Sequence, residues 1–162
     1  MANEHIHPRL SFISAGEEMP DFTLPTQTRE EFKLSEALEK GDVVLCFFPL
    51  AFTGTCGTEM ECVSKDMAKW KARGAQVVGV SCDSYASLKA WAEKQGYQQV
   101  FVSDIHRTLC KGLGIFWPEL NVSGRGTVVI TKDAAGKAVV KWSQKREIRN
   151  AMNFEEVLAA LS

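Results

Sequence analysis

Cys56 closes the stretch PLAFTGTC, just past the apolar run DVVLCFF and just ahead of a helical pattern that begins at Met60. A cysteine at the start of a helix meets unpaired backbone N–H groups and the positive end of the helix dipole. Both favour the thiolate, which is the nucleophilic form. A free cysteine is also among the most buried residue types, so position alone leaves a reactive thiol and a packed one both open. Thr53, three residues earlier, offers a hydroxyl to a sulfur anion or an oxygen substrate, or else an N-cap to the helix. Pro49 either shields the sulfur by fixing the loop or simply ends the strand. Glu59 falls in the first turn, where a carboxylate caps the helix.

The other candidate chemistries are weaker. The residue three after Cys56 is Glu59, so there is no Cys-x-x-Cys pair for ordinary dithiol exchange. The cysteines are scattered, His5 and His7 are expected in a mobile tail, and His106 has no neighbour at ligand spacing, which argues against a metal site. No glycine-rich phosphate loop follows the first strand. An acyl-transfer triad lacks a base near Cys56, with distant His106 the one candidate. Cys46, inside the apolar run, reads as packing.

The elements that must hold Cys56 alternate between strand and helix. DFTLPT reads as a strand near a turn, and EFKLSEALEK as a short helix opened by Ser35. DVVLCFF, 42–48, is a branched and aromatic run ended by Pro49, the pattern of a central strand buried on both faces. Met60, Val63, Met67 and Trp70 then mark one helix ending near Gly74, with Glu59 among its polar positions. AQVVGVSC, 75–82, is the next buried strand, followed by a helix with Tyr85, Leu88, Trp91 and Ala92 on its packed face and Gly96 as its stop. QQVFVSD supplies another strand and HRTLCKGLGIF a short helix. GTVVIT and KAVVKWS form a hairpin around Gly136, and a closing helix packs through Phe154, Val157, Leu158 and Leu161. The whole predicts an α/β chain with a mixed central sheet and helices on both faces, in one domain over 1–162.

With 162 residues the chain can bury a proper core. Nineteen basic and twenty acidic residues leave a net charge of -1, no basis for attracting nucleic acid or a membrane surface. No apolar stretch has the length of a signal peptide core or a bilayer span, so a cytoplasmic protein is expected. Five cysteines, an odd number in a chain that needs no staples, read as thiols.

Pro49, Thr53 and Cys56 together match a specific pattern: Pro, three residues, Thr or Ser, two residues, Cys. With GEEMPDFTLP, GVSCDS and GRGTVVI the match spans nearly the whole chain, which resembles the peroxiredoxins, especially their one-cysteine alkyl hydroperoxide reductase E subgroup. The resemblance implies a thioredoxin-like fold with an N-terminal extension and a thiol peroxidase needing no metal, haem or flavin. It implies that Cys56 attacks a hydroperoxide and becomes a sulfenic acid, that Arg125 steadies thiolate and peroxide, and that Glu59 ties down the arginine network. Leu88 departs from the subgroup, which often has a histidine there, three residues before the tryptophan that Trp91 matches.

No cysteine follows Cys110 in this sequence, so the tail cysteine that typical two-cysteine members use is not expected here. The favoured reading is reset by an external thiol, such as a thioredoxin, a glutaredoxin-like protein or a small thiol. Cys62, Cys82 and Cys110 remain as alternatives. Cys62 is about 9 Å along an intact helix from Cys56 and roughly 120° around it, so pairing needs local unwinding. Phe52, Trp91, Phe116 and Trp117 are candidates for a homodimer surface or for packing around the cysteine, and Leu50, Phe52, Phe116 and Trp117 for an apolar pocket that tolerates organic hydroperoxides. Two rivals use the same scaffold: a thiol-disulfide or peroxide-sensing relay, and a structural protein with an inert Cys56.

Overall fold

The computed structural model describes residues 2–161. Its centre is a five-stranded mixed sheet of β3 (Asp42–Phe47), β4 (Ala75–Ser81), β5 (Val100–Ser103), β8 (Arg125–Lys132) and β9 (Ala138–Arg146), in the order β5-β4-β3-β8-β9. β3, β4 and β5 run parallel, while β8 and β9 are antiparallel additions on the other side of β3. β3 is therefore central, as its unbroken apolar run requires. Two antiparallel pairs flank the sheet, β1 (Thr23–Pro25) with β2 (Glu31–Lys33) and β6 (Phe116–Trp117) with β7 (Val122–Ser123).

Because successive strand residues face opposite ways, Val43, Leu45 and Phe47 feed one core layer and Val44 and Cys46 the other. The first layer is covered by α1 (Leu34–Leu38) and α5 (Thr108–Gly112). The second is covered by α2 (Gly54–Lys65), α3 (Met67–Ala72), α4 (Tyr85–Gln95) and α6 (Phe154–Ala160). Helices thus lie on both faces. In the second layer Trp91 lies among Phe48, Tyr97 and Phe101, with centroids 5.1 to 5.6 Å away. Gly79 permits this, since a Cβ there would stand 2.5 Å from the Phe101 ring.

Several local expectations need correction. The segment after Cys56 is two helices, because Asp66 leaves helical geometry (φ -98°, ψ 18°) and its carbonyl accepts from Lys69 and Trp70 N–H. The bend lets Trp70 become fully buried. Ser35 does not open α1; Lys33 stands at the N-cap, and Asp21 accepts from both the N–H and the hydroxyl of Ser35 at 2.9 Å. The segment holding His5 and His7 is packed down: Ile6 is buried, His5 bonds the Asp21 carbonyl, and Arg9 and Ile13 N–H reach the carbonyls of Lys111 and Leu113. Tyr85 is exposed, although Leu88, Trp91 and Ala92 of the same helix are core. The β6-β7 pair, two residues a side, is too short for any periodicity to announce.

Candidate active site

β3 ends at Phe47, and the chain turns through Pro49 and Phe52 into α2. Phe52 adopts φ 63°, a left-handed conformation that a large side chain takes only where its surroundings hold it. Ala51 N–H helps hold it, donating to the Asp83 carboxylate at 2.9 Å. Thr53 has N-cap geometry, yet its hydroxyl donates to the Leu50 carbonyl at 2.6 Å and caps nothing. With that hydrogen committed, the Thr53 oxygen faces any further partner as an acceptor. Cys56 is the third residue of α2, within the turn whose N–H groups have no intrahelical partner.

Arg125 comes from the first position of β8, on the far side of β3. Its Nη2 donates to Cys56 Sγ at 2.9 Å, its Nη1 to Glu59 Oε1 at 3.3 Å, and its Nε to the Ile148 carbonyl at 2.7 Å. Glu59 is the buried centre of this arrangement and no helix cap. Its Oε2 accepts from Arg146 Nη2 at 3.1 Å and from Met152 N–H at 2.7 Å. Burial pushes the Glu59 carboxyl above its ordinary value, and Arg146, Arg125 and the Met152 N–H pull against that. Arg146, in β9, is a member of the group that the sequence reading missed. The structure sets it opposite Arg125 across the hairpin.

Cys56 lines a cavity of about 600 Å³ together with Pro49, Leu50, Thr53, Trp117 and Arg125. The thiol is 2% exposed, so approach is through this cavity. A neighbouring groove of about 780 Å³ shares Trp117 and Arg125 and includes Phe116 and Arg146. Phe52 and Phe116 do not line the Cys56 cavity; Phe52 packs on Trp91 instead, at 6.2 Å. Trp91 itself is 1% exposed and so cannot serve a dimer surface, and Leu88 is equally buried. His106 is exposed and outside the cavity.

The remaining cysteines are all free. Cys46 contacts Met152 sulfur in the layer beneath the site. Cys62 is half-buried on an intact stretch of α2. Cys82 and Cys110 belong to the layer on the opposite face of the sheet from Cys56. Chemically, the arrangement presents a shielded sulfur nucleophile beside a fixed cation, with unpaired N–H groups and a hydroxyl acceptor in the same cavity.

The sequence profile of the AhpC/TSA family matches residues 15–139. The alkyl hydroperoxide reductase E of Mycobacterium bovis is 27% identical over 152 residues, spanning 93% of this chain and 99% of its own. A chloroplastic 2-cysteine peroxiredoxin of Chattonella marina var. antiqua is 31% identical over 159 residues, 92% of this chain and 79% of its own. Among solved structures, peroxidoxin BcpB from Mycobacterium tuberculosis superposes with a TM-score of 0.80 at 27% identity, covering 92% of this chain and 96% of that one. The five-stranded sheet described above is this chain's thioredoxin-like core. On these matches and this architecture the chain belongs to the AhpC/TSA family: it is a peroxiredoxin, a thiol-dependent peroxidase.

Proposed function

We propose that the chain reduces hydrogen peroxide and organic hydroperoxides at Cys56 by a one-cysteine cycle, with an external thiol as reductant. The observation that carries this reading is the 2.9 Å contact between Arg125 Nη2 and Cys56 Sγ, two residues that line one open cavity. The guanidinium is already aimed at the place where peroxide oxygen must arrive.

The Cys56 thiolate attacks the distal oxygen of the hydroperoxide. An S–O bond forms as the O–O bond breaks, the alkoxide or hydroxide takes a proton as it leaves, and Cys56 becomes a sulfenic acid. Negative charge grows on the departing oxygen, so Arg125 and the Cys56 N–H lower the barrier by stabilising it. The Thr53 oxygen accepts the peroxide O–H and orients the substrate. Pro49, buried at the cavity wall, excludes water, and Glu59 holds Arg125 in register.

A second thiol then attacks the sulfenic sulfur and displaces water. Cys62 sits on an unbroken helix, and Cys82 and Cys110 lie beyond the sheet, so an external thiol is the reductant this geometry favours. Thioredoxin, a glutaredoxin-like protein or a small thiol all fit. Leu50 and Trp117 in the wall give an organic hydroperoxide apolar contact. The five free cysteines suit a reducing compartment such as the cytoplasm, and among the described residues no helix is long and apolar enough to cross a membrane. Exposed Phe52 and Leu120 favour a homodimer through loops beside the cavity; sedimentation showing monomer alone at micromolar concentration would remove it. The test of the cycle is rapid mixing of reduced protein with a hydroperoxide, with a sulfenic-acid trap and Cys56→Ser as control.

A further inference from the structure

Cys82 follows directly on β4, and Cys110 lies on α5, 28 residues later. Their Sγ atoms stand 3.8 Å apart, at 6% and 0% exposure, in the core layer across the sheet from Cys56. Asp104, also buried, places a carboxylate oxygen so that it and the two sulfurs all lie within 4.8 Å of one another. Its oxygens accept from Leu109 N–H at 3.0 Å and Cys110 N–H at 2.8 Å, which fixes the start of α5 and with it the Cys110 side chain. Two thiols in contact beside a buried carboxylate are more than small apolar filler needs, and the peroxidase cycle uses none of the three.

We infer that Cys82 and Cys110 are a second redox site, a buried dithiol that excess hydroperoxide converts to a disulfide independently of Cys56. Disulfide sulfurs lie about 2 Å apart, so the two sulfurs, already in contact, must come about 2 Å closer to bond. Cys82, the less buried, meets the peroxide first: its sulfur takes one oxygen, the O–O bond breaks, and an alcohol or water leaves. The Cys110 sulfur then attacks the Cys82 sulfur, the S–O bond breaks, and the Cys110 proton passes by way of Asp104 to the departing sulfenic oxygen, which leaves as water. In sum two thiols lose two electrons and two protons, and one hydroperoxide is reduced to alcohol and water.

The surroundings set the rate. Its contact with Cys82, burial and the neighbouring Asp104 push the Cys110 thiol well above its ordinary value, and burial likewise raises the Asp104 carboxyl, which makes it the better base. The sulfurs of this pair meet each other and the Arg107 carbonyl, where Cys56 Sγ meets the Arg125 guanidinium. Closure is therefore expected at least about 100-fold more slowly than Cys56 oxidation, at peroxide excess and not in ordinary turnover. The site also adjoins the active-site loop, because Cys82 precedes Asp83, whose carboxylate holds Ala51 N–H and whose carbonyl accepts from Ser103.

The test uses the full chain carrying Cys56→Ser and Cys62→Ser, reduced, freed of metal with a chelator, and treated with excess tert-butyl hydroperoxide. Acid quench, alkylation and non-reducing peptide mapping should find the mass lowered by two hydrogens and the peptides of Cys82 and Cys110 joined. With Cys110→Ser added, the same treatment should leave a trappable sulfenic acid on Cys82, a result that packing alone does not produce. Full alkylation of both thiols, after an exposure 1000-fold longer than Cys56 needs in the parent, would overturn the proposal. So would a crosslink to Cys46, or a stoichiometric metal ion recovered with the protein and lost on Cys82→Ser. Because Cys56 is absent from the tested protein, failure here leaves the Cys56 cycle standing, and the reverse also holds.

Discussion

Glu59 Oε1 accepts from Arg125 Nη1 at 3.3 Å while the same guanidinium reaches Cys56 Sγ at 2.9 Å, so a buried carboxylate aims the cation that faces the sulfur. Glu59 also accepts from Arg146, and the three charges form one unit. Removing Glu59 leaves two guanidiniums in the interior without their counter-charge. Glu59→Gln should therefore cost about 3–5 kcal/mol of stability, measured by urea denaturation, and slow peroxide reduction as Arg125 loses its aim.

Arg125→Lys keeps a charge but loses the planar fork that bonds sulfur, carboxylate and the Ile148 carbonyl at once. Peroxide reduction by this variant should fall about 10²- to 10³-fold in stopped-flow assays, the range for loss of one preorganised donor. A variant within threefold of the parent would mean that the contact is structural.

Thr53→Val removes the oxygen that accepts from substrate while keeping the side chain's shape. A fall of about 10- to 100-fold in the second-order rate with hydroperoxide is expected. Thr53→Ser should restore most of it, since Ser repeats the bond to the Leu50 carbonyl.

Cys62→Ser should leave the rate of Cys56 oxidation within about twofold and the yield of trapped sulfenic acid unchanged, because an intact helix separates the two sulfurs. A fast intramolecular disulfide that vanishes in this variant would replace the one-cysteine cycle with a two-cysteine one.

Glu17 supplies a pH dependence away from the site. Hydrogen bonds from Arg9 and from Ser14 N–H lower its carboxyl from 4.5 to about 2. A carboxylate depressed in the folded state adds stability above the unfolded value and loses it as pH falls through the folded one. The pair is partly exposed, so its worth is at most about 1 kcal/mol. Thermal melts of Glu17→Gln and the parent should differ at pH 6 and converge steadily below pH 4.5.

The three parallel strands are legible because a buried parallel strand is a largely apolar run, and DVVLCFF, AQVVGVSC and QQVFVSD are of that kind, whereas EFK reads as helix and forms β2. Cys56, Thr53 and Pro49 share one local motif, so their proximity follows from chain connectivity. Arg125 and Glu59 were named through family resemblance, since no local pattern brings β8 beside α2. By periodicity Glu59 looks solvated, and only the two arginines opposite it make burial tolerable. Arg146 was invisible for the same reason: its partner is 87 residues away in sequence. Trp91 fits the packed face of its helix and a dimer surface equally well by sequence, because ring size says nothing of which layer a ring enters; the fold buries it and leaves Phe52 exposed.

The most direct measurement mixes the fully reduced protein with hydrogen peroxide or an alkyl hydroperoxide in a stopped-flow instrument and reads intact mass with a sulfenic-acid trap. A fast phase ending in a trapped sulfenic acid at Cys56, absent in Cys56→Ser and turned over by added thiol, is the predicted result. A parent protein that reacts no faster than Cys56→Ser would contradict the account and leave Cys56 a packing residue.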